Sequence, residues 1–173
     1  MKNYKSEAGN FFLRSLAPTD DLTNYLFWMS NPSNNQFILS SNNEFTIEKL
    51  KDYIDFCNSS KDILLIGIFD KFNNEHIGNI KYSGINKIDK SASMGILIGE
   101  KKYRGIGLAK EVIQLTLTWI YGKLGIEKVL LGVNKGNKNA LNLYKKIGFA
   151  IIDNDSFNGV KMELNVKTWL QIK

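Results

Sequence analysis

The chain predicts a mixed α/β fold: a mostly antiparallel central sheet of about seven strands, a parallel splay between the fourth and fifth of them, and about four helices. Three observations carry that prediction. Ala109, Val112, Ile113, Thr116, Trp119 and Ile120 fall on one face at helical spacing, a stripe long enough to fix a helix. Val160, Met162, Leu164 and Val166 alternate with Lys161, Glu163, Asn165 and Lys167, the period of a strand with one wet face. The whole order reads β-α-α-β-β-β-α-β-α-β-β, and its central βαβα segment calls for a local parallel pair between antiparallel hairpins.

Residues 10–17 read as the first strand. Pro18-Thr19 then opens a helix, with Thr19 as N-cap and Asp20 and Asp21 in the first turn. Its stripe is Leu22, Tyr25, Leu26 and Met29, and it stops at Asn31-Pro32. A polar segment, 33–43, precedes a second helix from Thr46 with Ile47, Leu50, Ile54 and Cys57 on its apolar face. Strands follow at 62–70, 76–84 and 91–99, the first two joined by the turn Lys71-Phe72-Asn73-Asn74-Glu75. The third helix ends at Leu124-Gly125-Ile126, with glycine at the C′ position. Strand 129–134 leads to a short helix, 137–147, closed by Gly148. A last hairpin joins 149–153 to 160–166 through Asn158-Gly159.

At 173 residues the chain fits one domain, taken as 1–173, and can bury a core without disulfide staples. No apolar run approaches the roughly 18 residues a membrane helix needs. Met1-Lys2-Asn3-Tyr4-Lys5 leads into polar residues, not into a secretory signal. Cys57 is the one cysteine and His76 the one histidine, so neither an internal disulfide nor a zinc or iron site is expected. The expected location is cytoplasmic. A formal charge of +6 points to an acidic partner. The basic clusters are Lys101-Lys102 with Arg104, Lys135 with Lys138, and Lys145-Lys146. No face interleaves aromatic and basic residues, so nucleic acid is not the expected partner, and no membrane is.

Chemistry concentrates in Tyr103-Arg104-Gly105-Ile106-Gly107-Leu108-Ala109. The stretch lies between a strand and an amphipathic helix. Its two glycines, with no acidic side chain, leave backbone N–H groups to converge on one spot. The helix start adds unpaired donors and the positive end of its dipole, so the segment reads as an anion site suited to a pyrophosphate. Arg104 adds a planar fork of donors matched to phosphate.

The element order together with Arg104-Gly105-Ile106-Gly107-Leu108-Ala109 resembles the GCN5-related N-acetyltransferase (GNAT) family. That family's cofactor loop runs Arg/Gln-x-x-Gly-x-Gly/Ala, and Arg104, Gly107 and Ala109 fill the defined places. A second match covers 134–149, with Asn137, Asn139-Ala140, Tyr144 and Gly148-Phe149. Phe12-Leu13-Arg14-Ser15-Leu16 and Tyr25-Leu26-Phe27-Trp28-Met29-Ser30-Asn31-Pro32 resemble the ribosomal-protein-alanine-acetylating branch and its relatives that act on sugars.

The resemblance implies acetyl-CoA as cofactor. Its diphosphate would lie on the amides of Gly105, Ile106, Gly107, Leu108 and Ala109. Its pantetheine arm would lie in the splay between the strands 92–99 and 129–134, against backbone near Leu97 and Ile98. Asn134, Asn137 and Asn139 would line the arm, with Lys138 or Lys135 toward the 3′-phosphate. Trp28, Asn31 and Asn35 would shape the acceptor site. Tyr144, four residues after Ala140 and three before Ile147, faces inward and is the expected donor to the leaving thiolate. A carboxylate that many relatives carry at the start of the cofactor strand is replaced here by Ser91-Ala92-Ser93. The base therefore stays open among His76, Glu100, Glu44 and a water chain.

The activity expected is acetyl transfer to a primary amine of a small molecule, with an amino sugar or sugar nucleotide suggested by the Asn- and Ser-rich segment 30–43. The alternatives are a protein N-terminal acetyltransferase of the ribosomal-protein type and a non-catalytic acyl-CoA-binding module. A monomer or homodimer is expected.

Overall fold

The computed structural model describes residues 4–31, 45–153 and 159–172. Among them the sheet has eight strands in the order β1-β2-β3-β4-β5-β6-β8-β7. These are β1 (Lys5–Ala8), β2 (Phe11–Ser15), β3 (Leu64–Asp70), β4 (His76–Asn86), β5 (Ser91–Ile98), β6 (Lys128–Asn134), β7 (Ala150–Asp153) and β8 (Gly159–Asn165). The α-helices are α1 (Thr23–Ser30), α2 (Ile47–Ser59), α3 (Leu108–Leu124), α4 (Lys138–Ile147) and α5 (Val166–Ile172), with a 3₁₀ turn, η1, at Lys101–Tyr103. The chain divides into two compact units: Met1–Lys81 with Ile96–Leu108, and Tyr82–Gly95 with Ala109–Lys173.

The first unit holds β1, β2, β3, α1, α2 and η1. β2 pairs antiparallel with β1 and with β3, and every residue of β3 is buried. Above them α1 and α2 bury Leu22, Tyr25, Trp28, Leu50, Ile54 and Cys57 in one cluster with Leu16, Leu65 and Phe69. The apolar face read for α2 is thus observed. Its start is too: the Thr46 hydroxyl accepts the Lys49 N–H at 3.2 Å.

α1 begins later than the sequence suggests. Thr19 is not its cap, and Asp20 is not in its first turn. The Asp20 carboxylate is already committed, to Arg14 at 2.7 and 2.8 Å and to the Ala17 N–H at 2.7 Å. That bidentate pair holds 17–20 as a turn, and the helix waits for Thr23, whose N–H bonds Asp21 at 3.0 Å. Burial tends to raise the Asp20 pKa, but Arg14 and the Ala17 amide outweigh it and hold the carboxyl below its usual range.

The second unit is built on β6 and β8, antiparallel over their full lengths, with β7 on the outer side of β8. α3 buries Val112, Ile113, Thr116, Leu117 and Ile120, while Ala109 and Trp119 of the expected stripe are only half-buried. Thr116 lies on the apolar face because its hydroxyl meets the Tyr82 hydroxyl at 2.9 Å. Gly125, at φ 68°, closes the helix as expected. α4 starts on Asn137, whose side chain accepts the Ala140 N–H at 3.1 Å. It ends on Gly148, at φ 118°, whose N–H meets the Tyr144 and Lys145 carbonyls.

Two elements depart from the expected seven strands and four helices. β1 is an extra edge strand paired to β2 by a turn through Gly9 (φ 49°). Its Lys-Ser-Glu composition gives no apolar signal, as befits an edge. The last strand stops at Asn165 and α5 begins, because the Asn165 side chain accepts the Thr168 N–H at 3.0 Å. The parallel pair expected of the fourth and fifth strands is β5 with β6, in register from Ser91–Lys128 to Ser93–Leu130. The paired register covers three residues of each strand, while β5 runs on to Ile98 and β6 to Asn134. Among the described residues no helix is long and apolar enough to cross a membrane.

Candidate functional site

In the first unit, the end of β5 and the turn after it form a tightly tied segment. Gly99 donates its N–H to the Ile77 carbonyl at 3.0 Å. Its Cα sits beneath the Trp28 indole, where a Cβ would overlap the ring, so only glycine fits. Gly78 is required on the neighbouring strand for a like reason: a Cβ there would strike the Leu97 carbonyl oxygen. Trp28 is fully buried and donates its indole N–H to Glu100 at 2.9 Å. It offers no free face to solvent. Asn31 ends α1 in extended backbone, and Asn35 lies outside the described residues.

Next comes η1. The Tyr103 hydroxyl donates to Asp70 at 2.7 Å and the Lys102 ammonium to Glu75 at 2.7 Å. Arg104 was expected to offer its fork to phosphate. Instead its Nε donates to the Ile98 carbonyl at 2.8 Å and its Nη2 to the Gly99 carbonyl at 2.8 Å. Backbone acceptors at a strand end need donors, and this guanidinium supplies them. Leu97 packs its side chain against the unit's core.

Gly105 and Gly107 then run at φ 79° and 91°, with nothing within 4 Å of the Cβ each lacks. The turn is exposed, and Leu108 behind it is buried as the first residue of α3. Open space around the missing Cβ atoms and left-handed backbone at both glycines leave this turn free of side-chain crowding just before Leu108, the first residue of α3. The residues present fit a diphosphate. Ile106, 67% exposed, does not fill the turn.

His76 was one of four possible bases. It is buried, stacked on Phe69 at 5.0 Å and flanked by Trp28 and Tyr25. Its Nε2 faces two acceptors, the Gly78 carbonyl at 3.0 Å and the Asn79 side-chain oxygen at 2.8 Å. Nε2 therefore carries the proton, and burial holds the pKa below its ordinary value despite those bonds. The imidazole is a neutral structural donor. Glu100 is half-exposed with one oxygen on the Trp28 indole N–H, and Glu44 lies outside the described residues.

The second unit carries the rest. Asn134 accepts the Gly136 N–H at 2.8 Å and Asn137 caps α4, so both side-chain oxygens shape the β6–α4 turn. Lys138 and Asn139 are exposed on the first turn of α4, and Ala109 is half-buried at the start of α3. Tyr144 is 8% exposed, packed edge-on against Phe149 at 5.7 Å. Among the described residues its hydroxyl has no hydrogen-bond partner, and burial pushes its pKa up to about 12.

Comparison with known proteins gives the family. The family model described as an acetyltransferase (GNAT) domain matches residues 10–150. Spermidine N(1)-acetyltransferase of Escherichia coli is 31% identical over 77 residues, 44% of this chain and 41% of the relative. The chain thus matches about two fifths of the length of that curated relative. Spermidine N-acetyltransferase from Vibrio cholerae, solved with CoA and spermine, has the same fold, with a TM-score of 0.83 at 20% identity over 93% of this chain and 98% of that one. A ribosomal-protein-S5-alanine acetyltransferase from Vibrio fischeri gives 0.77 at 15% identity over 96% and 98%. With the family model covering most of its length, the chain belongs to the GNAT acetyltransferase family, whose cofactor is acetyl-CoA.

Proposed function

We propose that the chain, as a single domain over 1–173, is an N-acetyltransferase that moves acetyl from acetyl-CoA to a primary amine of a small molecule. The observation that carries this reading is the turn Gly105-Ile106-Gly107: left-handed, open, and set against the first residue of α3. Acetyl-CoA, when bound, supplies the acetyl group as a thioester. The amides of 105–109 bind its diphosphate, and backbone N–H groups at Leu97 and Ile98 steady the charge that develops on the carbonyl oxygen. Lys138 and Asn139 contribute at the cofactor arm and the 3′-phosphate, and Asn134 and Asn137 set the turn that presents them.

Tyr144 acts on the leaving sulfur. With its pKa at about 12, the phenol is protonated throughout the working range. Handing its proton fully to a thiolate of ordinary basicity costs roughly 5 kcal/mol, so the contribution is a donated hydrogen bond. Glu100 takes the proton the amine loses. Trp28 holds that carboxylate in place, and Asn31 contributes on the acceptor side.

The acceptor we favour is a polyamine, because the curated relative and the solved relative both carry spermidine in their names. An amino sugar or sugar nucleotide is the second reading, on the polar segment 30–43. The enzyme works in the cytoplasm as a monomer or homodimer; a related Vibrio cholerae enzyme is described as dodecameric, so light scattering on the purified protein decides. The test of activity is acetyl-CoA-dependent thiol release with spermidine, spermine, amino sugars and N-terminal peptides. Turnover with a small amine is the expected result. Tight CoA binding without turnover on any amine would make the chain a binding module, and preference for a peptide would make it a protein acetyltransferase.

A further inference from the structure

The β3–β4 turn has no assigned part in cofactor binding, yet it is bonded twice to the residues that precede the glycine turn. Tyr103 Oη donates to Asp70 Oδ2 at 2.7 Å, and Lys102 Nζ meets Glu75 Oε2 at 2.7 Å. Asp70 and Glu75 bracket that turn, and both are fixed there by other bonds. The other oxygen of Asp70 accepts the Phe72 N–H at 2.7 Å, and its backbone N–H donates to the Glu75 carbonyl at 3.0 Å. Asn73 closes the arrangement, donating its side-chain N–H to Glu75 at 3.2 Å while its oxygen accepts the Glu75 N–H at 2.9 Å. The ammonium of Lys102 also lies 5.0 Å from the centre of the Tyr103 ring.

We propose that Asp70 and Glu75 are positioning residues for the cofactor turn: through Tyr103 and Lys102 they hold η1, and η1 sets the direction in which 104–107 leaves the sheet. The argument rests on the cofactor reading above. From Tyr103 the chain reaches Gly105 in two residues, and both glycines of the turn have open space around them. No side chain or backbone crowds the Cβ side of either glycine, so the residues on either side are the anchors that set the turn's direction. On the helical side Leu108 is buried. On the strand side the fixed points are Arg104, bonded to the β5 end, and Tyr103 and Lys102, bonded to the β3–β4 turn. Tyr103 burial and its bond to Asp70 both raise the phenol pKa, so the donor stays protonated, while Tyr103 and the Phe72 amide hold Asp70 ionised. Both shifts favour the protonated phenol and the ionised carboxylate that the tether needs.

The consequence is selective. Loosening the tether leaves the turn to be ordered on binding, which weakens ligands that carry a diphosphate and spares those that lack one. Tyr103→Phe removes one hydroxyl and keeps the ring. Its expected result is a rise of about 3- to 10-fold in KM for acetyl-CoA with kcat unchanged, and no change in kcat/KM for S-acetylpantetheine. Lys102→Met is expected to act in the same direction and more weakly, its pair being exposed. Amide hydrogen exchange of 104–107 in the ligand-free protein is expected to speed up in Tyr103→Phe. An unchanged KM with unchanged exchange overturns the proposal. So does an equal loss with S-acetylpantetheine, which marks a general structural role. If the wild-type protein binds no CoA, the cofactor reading fails by itself, and the exchange result still decides whether the tether orders the turn.

Discussion

Gly99 and Gly107 are glycines for opposite reasons, and replacing each by alanine separates binding from stability. At Gly107 the Cβ has nothing within 4 Å, but φ is 91°. An L-residue in left-handed backbone costs about 1–2 kcal/mol. The turn is exposed, so in the free protein Gly107→Ala relieves that strain by letting the turn move. The strain returns when the amides must converge on a diphosphate. A cost of 1–2 kcal/mol at that step corresponds to roughly a 5- to 30-fold rise in Kd for CoA, with Tm within a degree or two of wild type. At Gly99 a Cβ overlaps the Trp28 indole, so the ring must shift and its 2.9 Å bond to Glu100 is lost. Overpacking costs about 1–3 kcal/mol and the bond to a carboxylate about 1.5–3, so Gly99→Ala is expected to lower Tm by roughly 5–25 °C. Calorimetric titration with CoA and thermal melts of both variants check the pair. Wild-type affinity in Gly107→Ala would show that the left-handed turn does not hold the diphosphate, and the cofactor reading would lose its main support.

Three further outcomes are expected. Tyr144→Phe removes only the hydroxyl, and stopped-flow or steady-state assay should show kcat down by about 10- to 100-fold with KM for acetyl-CoA little changed; full activity would remove Tyr144 from the chemistry. Glu100→Gln keeps an acceptor for the Trp28 N–H but cannot take a proton, so kcat should fall at neutral pH and recover as pH rises and more free amine is present. A pH profile parallel to wild type would reassign the base. Asp20→Asn breaks the pair with Arg14 and should destabilise by about 1–3 kcal/mol. The folded-state pKa of Asp20 is depressed, so the pair's stabilisation is present above the unfolded value near ~3.9 and lost as pH falls through the lower folded value. Acid unfolding of the variant should accordingly show a shallower loss below about pH 4; identical acid melts would refute that assignment.

The sequence shows where local chemistry acts alone and conceals what distant residues decide together. α2 and α3 are legible because their apolar faces recur every three to four residues, and the hairpin strands because theirs recur every second. Gly105 and Gly107 are legible as a left-handed turn because two glycines stand between a strand and a helical stripe. The start of α1 is not legible: Asp20 looks like a first-turn acid until Arg14, six positions earlier, is seen to hold it. β1 and α5 are missed because one is a polar edge and the other depends on a single asparagine cap. The site divides in the same way. Its open turn is readable, whereas Trp28 to Glu100 spans 72 positions and Tyr103 to Asp70 spans 33, with no periodicity to link them. Arg104 is the instructive case. Its residue type suggests a phosphate ligand, but two unpaired carbonyls at the end of β5 lie within reach and take its donors. An arginine at that position braces the strand end through Nε and Nη2, a use that its residue type alone does not announce.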